Sequence, residues 1–412
     1  MENLLRFVKE HEGDEISRLI LDRKKYQGID IDLAVNCIES RRKLKGKVQQ
    51  WYDEPSLIFP LKLSAEQCSS SATGKYKADV ATRIAGKEDW SIADLTGGLG
   101  VDSWFFSQRA SAVTYNEMQT VLCDAARHNF RILGAENIVI SNTMITAGCY
   151  LDFLKEIPDI IYMDPARRGA GGKKVFLIED CTPDILTLKN EIFRQVRHIL
   201  VKLSPMADIS MVCERLGSTC REVHVVGSGG ECKELLIWMD RDWNEEYTII
   251  AAELDQDGNA TTFSFQPSEE KAAGYAGCQE LSGAKDSPTY LFEPGKALMK
   301  AGAFNLMASR FGMSKMGRST HYYITDSTEK AGQMLPYGKV FLILECGPLD
   351  KRNIKETGKK YPKAEVTARN IPMDTDTLRK KTGIASGDDA HIFGLKSDAE
   401  GNLLIVARRI RS

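Results

Sequence analysis

The sequence predicts an α/β protein, because short apolar strands alternate with amphipathic helices from about residue 90 to residue 240. Residues 160–163 and 199–203 are almost wholly apolar, which is typical of parallel strands covered by helices on both faces. Helical periodicity dominates the first 52 residues, and mixed strand and helix patterns return after residue 240. A chain of 412 residues is also too long for one ordinary core.

Strands are predicted at residues 92–95, 112–116, 137–140, 160–163 and 199–203. Helices are predicted at residues 101–108, 118–133, 149–155, 183–195 and 209–216. Strands at residues 222–226 and 234–239 flank Gly227-Ser228-Gly229-Gly230, so the segment closes with a hairpin that has one antiparallel member.

Four domains are predicted: helical residues 1–60, the α/β segment 61–240, an α/β connecting subdomain 241–335 and a C-terminal α/β domain 336–412. In the connecting subdomain a helix is expected at residues 296–310. The basic run from Arg41 to Lys47 is interpreted as a solvated helix face, with a phosphate contact as the alternative.

Composition excludes several classes. The net charge is −2, and none of the ten cysteines forms a C-x-x-C pair. Scattered thiols without a secretory leader indicate a reduced, cytoplasmic protein. No apolar run reaches the roughly 18 residues that a membrane span needs, and the six histidines are too scattered to indicate a metal site.

A glycine turn organises the α/β segment. It runs from Asp94 at the end of the first strand to Asp102, with glycines at 97, 98 and 100. Such a turn between strand and helix cradles a nucleotide-like ligand. A nicotinamide site is the weaker interpretation, because the third glycine of G-x-G-x-x-G is missing. The polar residues from Gln67 to Thr73 either fold over the same ligand or cap a helix.

Three features occur together here: the glycine turn, Glu117 after the second strand and the closing hairpin. With them, roughly residues 65–240 resemble the class I S-adenosylmethionine-dependent methyltransferases. The resemblance implies a Rossmann-like sheet of seven strands and S-adenosyl-L-methionine as cofactor. In that family the acidic residue at position 94 is linked to the methionine amino group, and Glu117 is placed to accept hydrogen bonds from the ribose hydroxyls. The implied cofactor-binding residues are Asp94, Thr96, Gly97, Gly98, Gly100, Asp102, Glu117, Asn142, Gln67 and Thr73.

The motif Asp164-Pro165-Ala166-Arg167 ends the fourth strand, where this family carries its substrate motif. With arginine at its fourth position, this motif is similar to the corresponding motif of RNA base methyltransferases. Enzymes that methylate exocyclic amines commonly have an aromatic residue at that position, where it stacks on the base. Asp164, Pro165 and Arg167 are therefore the expected catalytic residues, with Asp164 as polar anchor or proton acceptor. Substrate contacts are expected from Arg168, Lys173, Lys174 and Lys202; a basic loop without a ligand is the alternative.

The C-terminal segment is basic: residues 341–412 contain fourteen Lys/Arg and ten Asp/Glu, a net +4. Its stretches Arg369-Asn370-Ile371-Pro372 and Leu378-Arg379-Lys380-Lys381 resemble the THUMP-like domain of some bacterial methyltransferases. THUMP domains proper bind RNA, so RNA is the expected partner and a base in rRNA or tRNA is the expected methyl acceptor. The C-terminal region is expected to be a ferredoxin-like or THUMP-like α+β region. The alternatives are a protein or small-molecule acceptor, and a non-catalytic RNA-binding factor that keeps the fold.

Overall fold

The computed structural model describes residues 2–146, 148, 151, 153–167, 178–278, 280–281 and 288–410. These residues form two compact units. The first contains residues 1–229, 233–247 and 254–260, and the second contains residues 230–232, 248–253 and 261–412. The four-domain division expected from the sequence stays a prediction.

Five helices open the first unit: α1 (Glu2–Glu10), α2 (Ile16–Leu21), α3 (Ile31–Leu44), α4 (Gln49–Asp53) and α5 (Lys62–Gln67). Asp30 starts α3 by accepting a hydrogen bond from the Leu33 backbone N–H, which satisfies one of the free N–H groups at a helix start. Phe7, Leu19 and Ile38 belong to one buried apolar cluster shared by α1, α2 and α3.

The basic run of α3 is partly structural. Arg41 is buried and donates hydrogen bonds to the carbonyl oxygens of Glu54 and Tyr52. Arg42 donates to the carbonyl oxygens of Glu12 and Asp14. These two guanidinium groups therefore hold the helical region together, because each donates to backbone acceptors far away in sequence.

The central part of the unit alternates strands and helices. Its helices are α6 (Ser71–Ala85), α7 (Val101–Ser107), α8 (Thr120–Ile132), α9 (Ile185–Ile192) and α10 (Ile209–Leu216). Its strands are β1 (Ser91–Asp94), β2 (Ala112–Asn116), β3 (Ile138–Ser141), β4 (Ile160–Met163), β5 (Ala166–Arg167), β6 (Cys181–Thr182), β7 (His198–Leu203), β8 (Cys220–Ser228) and β9 (Glu231–Asp240). Short 3₁₀ turns lie at Arg23–Lys25, Ile178–Asp180 and Gly217–Thr219.

Seven of these strands follow the order β8-β9-β7-β4-β1-β2-β3. Neighbours from β7 to β3 are parallel, whereas β9 is antiparallel to β7. The turn between β8 and β9 has positive φ at both Gly229 and Gly230, which is the geometry that a two-residue hairpin needs. The Rossmann-like sheet closed by a hairpin is therefore confirmed.

Two details of the prediction were wrong, and a third lies partly outside the described residues. The sheet contains nine strands rather than seven. Of the helix expected at residues 149–155, residues 149, 150 and 152 lie outside the described residues, and residues 151 and 153–155 are not helical. The single helix expected at residues 296–310 is two helices, because the chain turns at Gly302 with φ of 85°, a conformation that favours glycine.

The second unit contains most residues of the remaining strands, which are β10 (Thr248–Leu254), β11 (Ala260–Phe265), β12 (Tyr290–Pro294), β13 (Ser314–Lys315), β14 (Tyr323–Thr325), β15 (Gly338–Pro348), β16 (Glu365–Arg369), β17 (His391–Ser397) and β18 (Gly401–Ile410). Of these, β10 and β11 are counted in the nine-stranded sheet. Its helices are α11 (Pro267–Ala272), α12 (Lys296–Ala301), α13 (Phe304–Phe311), α14 (Thr328–Met334), α15 (Lys351–Lys360) and α16 (Thr375–Thr382), with a 3₁₀ turn at Leu335–Tyr337. The strand order β13-β14-β12-β15-β18-β17-β16 forms one mixed sheet. One buried cluster on this sheet contains residues of α15 and α16, such as Ile354 and Leu378. Within the described residues, no helix is long and apolar enough to cross a membrane.

Candidate active site

One cavity of about 610 Å³ lies where several parallel strands of the first unit end. Asp94 ends β1, Glu117 follows β2 and Asp164 follows β4, and all three line the cavity. The carboxyl ends of the strands are the usual place for a ligand in an open α/β sheet. Predicted site residues that line the cavity are Gln67, Asp94, Thr96, Gly97, Gly98, Gly100, Asp102, Glu117 and Asp164.

Protein packing requires two of the three glycines of the turn. A Cβ atom on Gly97 would lie 2.2 Å from Cε2 of Tyr115, a fully buried ring. A Cβ atom on Gly100 would lie 2.7 Å from Cζ of Phe130, and Gly100 also has φ of 93°. The turn therefore packs directly onto β2 and α8, and close approach of a ligand is not the only reason for its glycines.

Asp94 is almost completely buried at the start of the turn. Its carboxylate accepts hydrogen bonds from the Thr96 backbone N–H, at 3.0 Å, and from the Ser103 hydroxyl, at 2.7 Å. Burial raises the pKa of Asp94 to about 7, although both hydrogen bonds favour the charged form. A positive group in the cavity would favour ionisation of Asp94.

Glu117 organises the other side of the turn. One carboxylate oxygen accepts from the Gly98 N–H at 3.0 Å, and the other accepts from the Gln119 N–H at 2.8 Å. Each oxygen keeps a further acceptor site for a ligand hydroxyl. Asn142 donates a hydrogen bond to the Glu117 carbonyl oxygen at 2.7 Å. It is not among the described residues that line the cavity.

Asp164 lines the cavity and is paired with Lys202 of β7, which is not among the described lining residues. The Asp164 N–H donates to the Thr96 hydroxyl oxygen at 2.6 Å, and the Lys202 ammonium is paired with the Asp164 carboxylate. Burial opposes the charge of Lys202, but Asp164, Glu234 and Asp102 outweigh burial and raise its pKa. Lys202 therefore contacts the predicted catalytic carboxylate directly.

The other predicted residues of the acceptor side are only partly described. Pro165 is buried, and Arg167 lies in β5, whose backbone pairs with β6. Arg168, Lys173 and Lys174 lie outside the described residues.

Two residues of the polar stretch 67–73 fit different predicted roles, one at the cavity and one at a helix cap. Gln67 lines the cavity. Thr73 instead forms a capping box with Ser70, in which the Thr73 hydroxyl accepts from the Ser70 N–H and the Ser70 hydroxyl accepts from the Thr73 N–H.

Comparison with known proteins shows where this arrangement belongs. The crystal structure of a "putative methyltransferase" from Porphyromonas gingivalis W83 is 30% identical, with a TM-score of 0.83, and the match covers 99% of this chain and 98% of that one. The chain belongs to this methyltransferase family. Residues 290–331 match a family described as a ferredoxin-like domain, and residues 338–409 match one described as THUMP domain-like. A search of curated proteins found no match.

Matches to more distant structures cover only part of this methyltransferase's chain. An rRNA methylase from Streptococcus thermophilus is 11% identical with a TM-score of 0.31, and the match covers 40% of this chain and 93% of that one. SMU.1697c, a "putative methyltransferase" from Streptococcus mutans in complex with SAH, is 13% identical with a TM-score of 0.29, covering 39% and 96%. The predicted class, a methyltransferase with a THUMP-like C-terminal region, is confirmed by the full-length relative and the matched families.

Several residues of the methyltransferase site are absent from the prediction. Lys77 is completely buried beneath the turn, where it contacts Asp102, Ser69 and Glu234. Tyr162 of β4 donates to the Asp102 carboxylate at 2.8 Å. A lysine in an amphipathic helix pattern is ordinarily a solvent-exposed residue, so the sequence carried no signal that Lys77 faces inward. The described residues include no group of three or more His, Cys, Asp or Glu side chains placed to hold a metal ion.

Proposed function

We propose that this protein transfers a methyl group from S-adenosylmethionine to a base in RNA. The observation that carries the proposal is that one cavity joins the glycine turn, which suits the donor, to the Asp164 motif, which suits the acceptor. The two sides are hydrogen-bonded through Thr96 and Asp164. Donor and acceptor are thereby held in one geometry, which is the main requirement of a displacement at a methyl carbon.

The donor side fits a cationic nucleoside. Asp94 and Asp102 supply carboxylates for the positive groups of the methionine moiety, and Glu117 supplies paired acceptors for ribose hydroxyls. Met118 and Leu122 line the same region and offer apolar surface to an adenine ring. The bound cofactor supplies an activated methyl group.

At the acceptor side, Asp164 is better suited to orient the acceptor than to remove its proton. The carboxylate is paired with the Lys202 ammonium, which occupies one of its oxygens and holds the side chain in one orientation. The other carboxylate oxygen can accept a hydrogen bond from a ligand. We therefore assign it the role of holding an N–H group of the acceptor base so that the reacting atom faces the methyl group.

RNA is favoured as acceptor by the second unit, considered by itself. Its helices α15 and α16 pack closely: a Cβ atom on Gly358 would lie 1.8 Å from the Thr382 carbonyl oxygen. The final turns of both helices are thus neighbours, and they carry exposed lysines at positions 359, 360, 380 and 381. Clustered lysines give sequence-independent affinity for phosphates, and THUMP domains proper bind RNA.

Transfer of a tritiated methyl group tests the proposal. Purified protein and labelled S-adenosylmethionine are incubated separately with total RNA and with protein extract, with Asp164→Ala as the matched inactive control. We expect label in RNA, retained in a modified nucleoside after digestion, and none with the variant. Label in protein alone would refute the RNA acceptor. Failure to bind S-adenosylmethionine in calorimetry would refute the enzymatic role and favour an RNA-binding factor.

A further inference from the structure

A buried ion network lies directly beneath the glycine turn. The Lys77 ammonium, on α6, donates to Glu234 Oε1 at 2.8 Å and Oε2 at 3.0 Å. It also lies 3.3 Å from Asp102 Oδ1. The exposed fractions of the Lys77 and Glu234 side chains are 0% and 3%, so water contributes little to holding this network.

The network ends on a carboxylate that lines the cavity. Lys77 donates to the Ser69 hydroxyl at 2.8 Å, and Ser69 in turn donates to Asp102 Oδ2 at 3.0 Å. Tyr162 donates to the same oxygen. Asp102 is therefore held from α6, from the segment before α6 and from β4, and all three contacts favour its charged form.

Burying these charged side chains is unfavourable in free energy, which suggests that the network has a function. Burying charged groups carries a desolvation penalty that their mutual attraction seldom exceeds, and apolar replacements are often as stable. Burial by itself opposes ionisation of Asp102, whereas the charges of Lys77 and Lys202 lower its pKa. The net result is a fixed negative charge at the cavity, beside the turn that the donor is proposed to occupy.

We propose that Lys77, backed by Glu234, is a positioning residue that keeps Asp102 ionised and fixed in place, so that the cavity prefers a cationic sulfonium cofactor to its neutral thioether product. This inference rests on the proposed function, because it assumes that S-adenosylmethionine occupies the cavity. Lys77 acts only through Asp102 and the residues bound to it. S-adenosylhomocysteine lacks the sulfonium charge and gains less from a fixed carboxylate.

The test measures the Kd values of S-adenosylmethionine and S-adenosylhomocysteine by calorimetry. Lys77→Met combined with Glu234→Gln removes one buried charge of each sign, so that neither member of the pair is left charged alone. We expect its affinity for the cation to fall about tenfold, and its affinity for the thioether to change less than about twofold. Lys77→Arg, which keeps the charge, should recover part of the lost affinity.

A double-mutant cycle with Asp102→Asn separates positioning from general damage. If Lys77 acts through Asp102, removal of the Lys77–Glu234 pair has little further effect on cofactor affinity once Asp102 is neutral. An equal loss in both backgrounds, or equal losses for both ligands, would overturn the inference. Lys315→Met, which removes a buried lysine of the second unit, should leave both Kd values unchanged. If the unaltered protein binds neither ligand, the proposed function itself fails.

Discussion

Lowering the pH from 7 to 5.5 should weaken S-adenosylmethionine binding about fifteenfold if ionised Asp94 receives the positive charge of the methionine moiety. Burial raises the pKa of Asp94 to about 7. The ionised fraction in the free protein is then about one half at pH 7 and about one thirtieth at pH 5.5. Above about pH 8 the ligand's own amino group loses its proton, so affinity should pass through a maximum between these limits.

The free energy of unfolding of the ligand-free protein changes with pH in the opposite direction to cofactor affinity. A carboxyl group whose pKa is raised on folding stabilises the native state below its unfolded value of 3.8, and that contribution is lost as pH rises through about 7. The ligand-free protein should therefore lose some of its free energy of unfolding over this range, and the cofactor should restore more of it at pH 7 than at pH 5.5.

Calorimetric titrations between pH 5.5 and pH 8.5 measure this dependence, with Asp94→Asn as the matched control. The variant keeps the shape of the side chain but has no carboxylate to titrate. It should bind at least tenfold more weakly at pH 7 and should lack the rise of affinity with pH. A flat profile for the unaltered protein, or the same rise in Asp94→Asn, would refute the role of Asp94.

Three further changes test separate parts of the account. Gly97→Ala should cost about 1–3 kcal/mol in the free energy of unfolding, measured with urea, because its Cβ would meet the buried ring of Tyr115. Lys202→Met should slow methyl transfer at least tenfold, because Asp164 loses its ion-pair partner; unchanged transfer would contradict this. Lys381→Glu should weaken RNA binding evenly across sequences and reduce the salt dependence of binding by about one phosphate contact; an unchanged salt dependence would remove that residue from the RNA surface.

The strands of the central sheet were predictable because their apolar runs report burial on both faces. The observed bounds of β2 and β4 equal the predicted ones, and those of β1 and β3 differ by one residue. The hairpin was predictable from the glycines at its turn. The nine-strand count was not, since strand runs after the hairpin do not reveal which sheet they join.

The site was predictable where chemistry lies in local order along the chain. The turn after β1 and the motif after β4 meet because parallel strands end at one edge of the sheet. The ion pair between Asp164 and Lys202 joins two strands that are adjacent in space, so it needed the sheet order. Lys77 and Glu234 are 157 residues apart, and no periodicity identifies such a buried pair.

The most direct test of the central claim, that one cavity has a donor side and an acceptor side, is the comparison of cofactor binding with methyl transfer in Asp164→Ala. We expect this variant to bind S-adenosylmethionine within about threefold of the unaltered protein and to transfer no measurable methyl group to RNA. Asp164→Asn, which keeps the side-chain volume beside Lys202, serves as its companion. Equal loss of binding and transfer in both variants would contradict the division of the cavity into two sides.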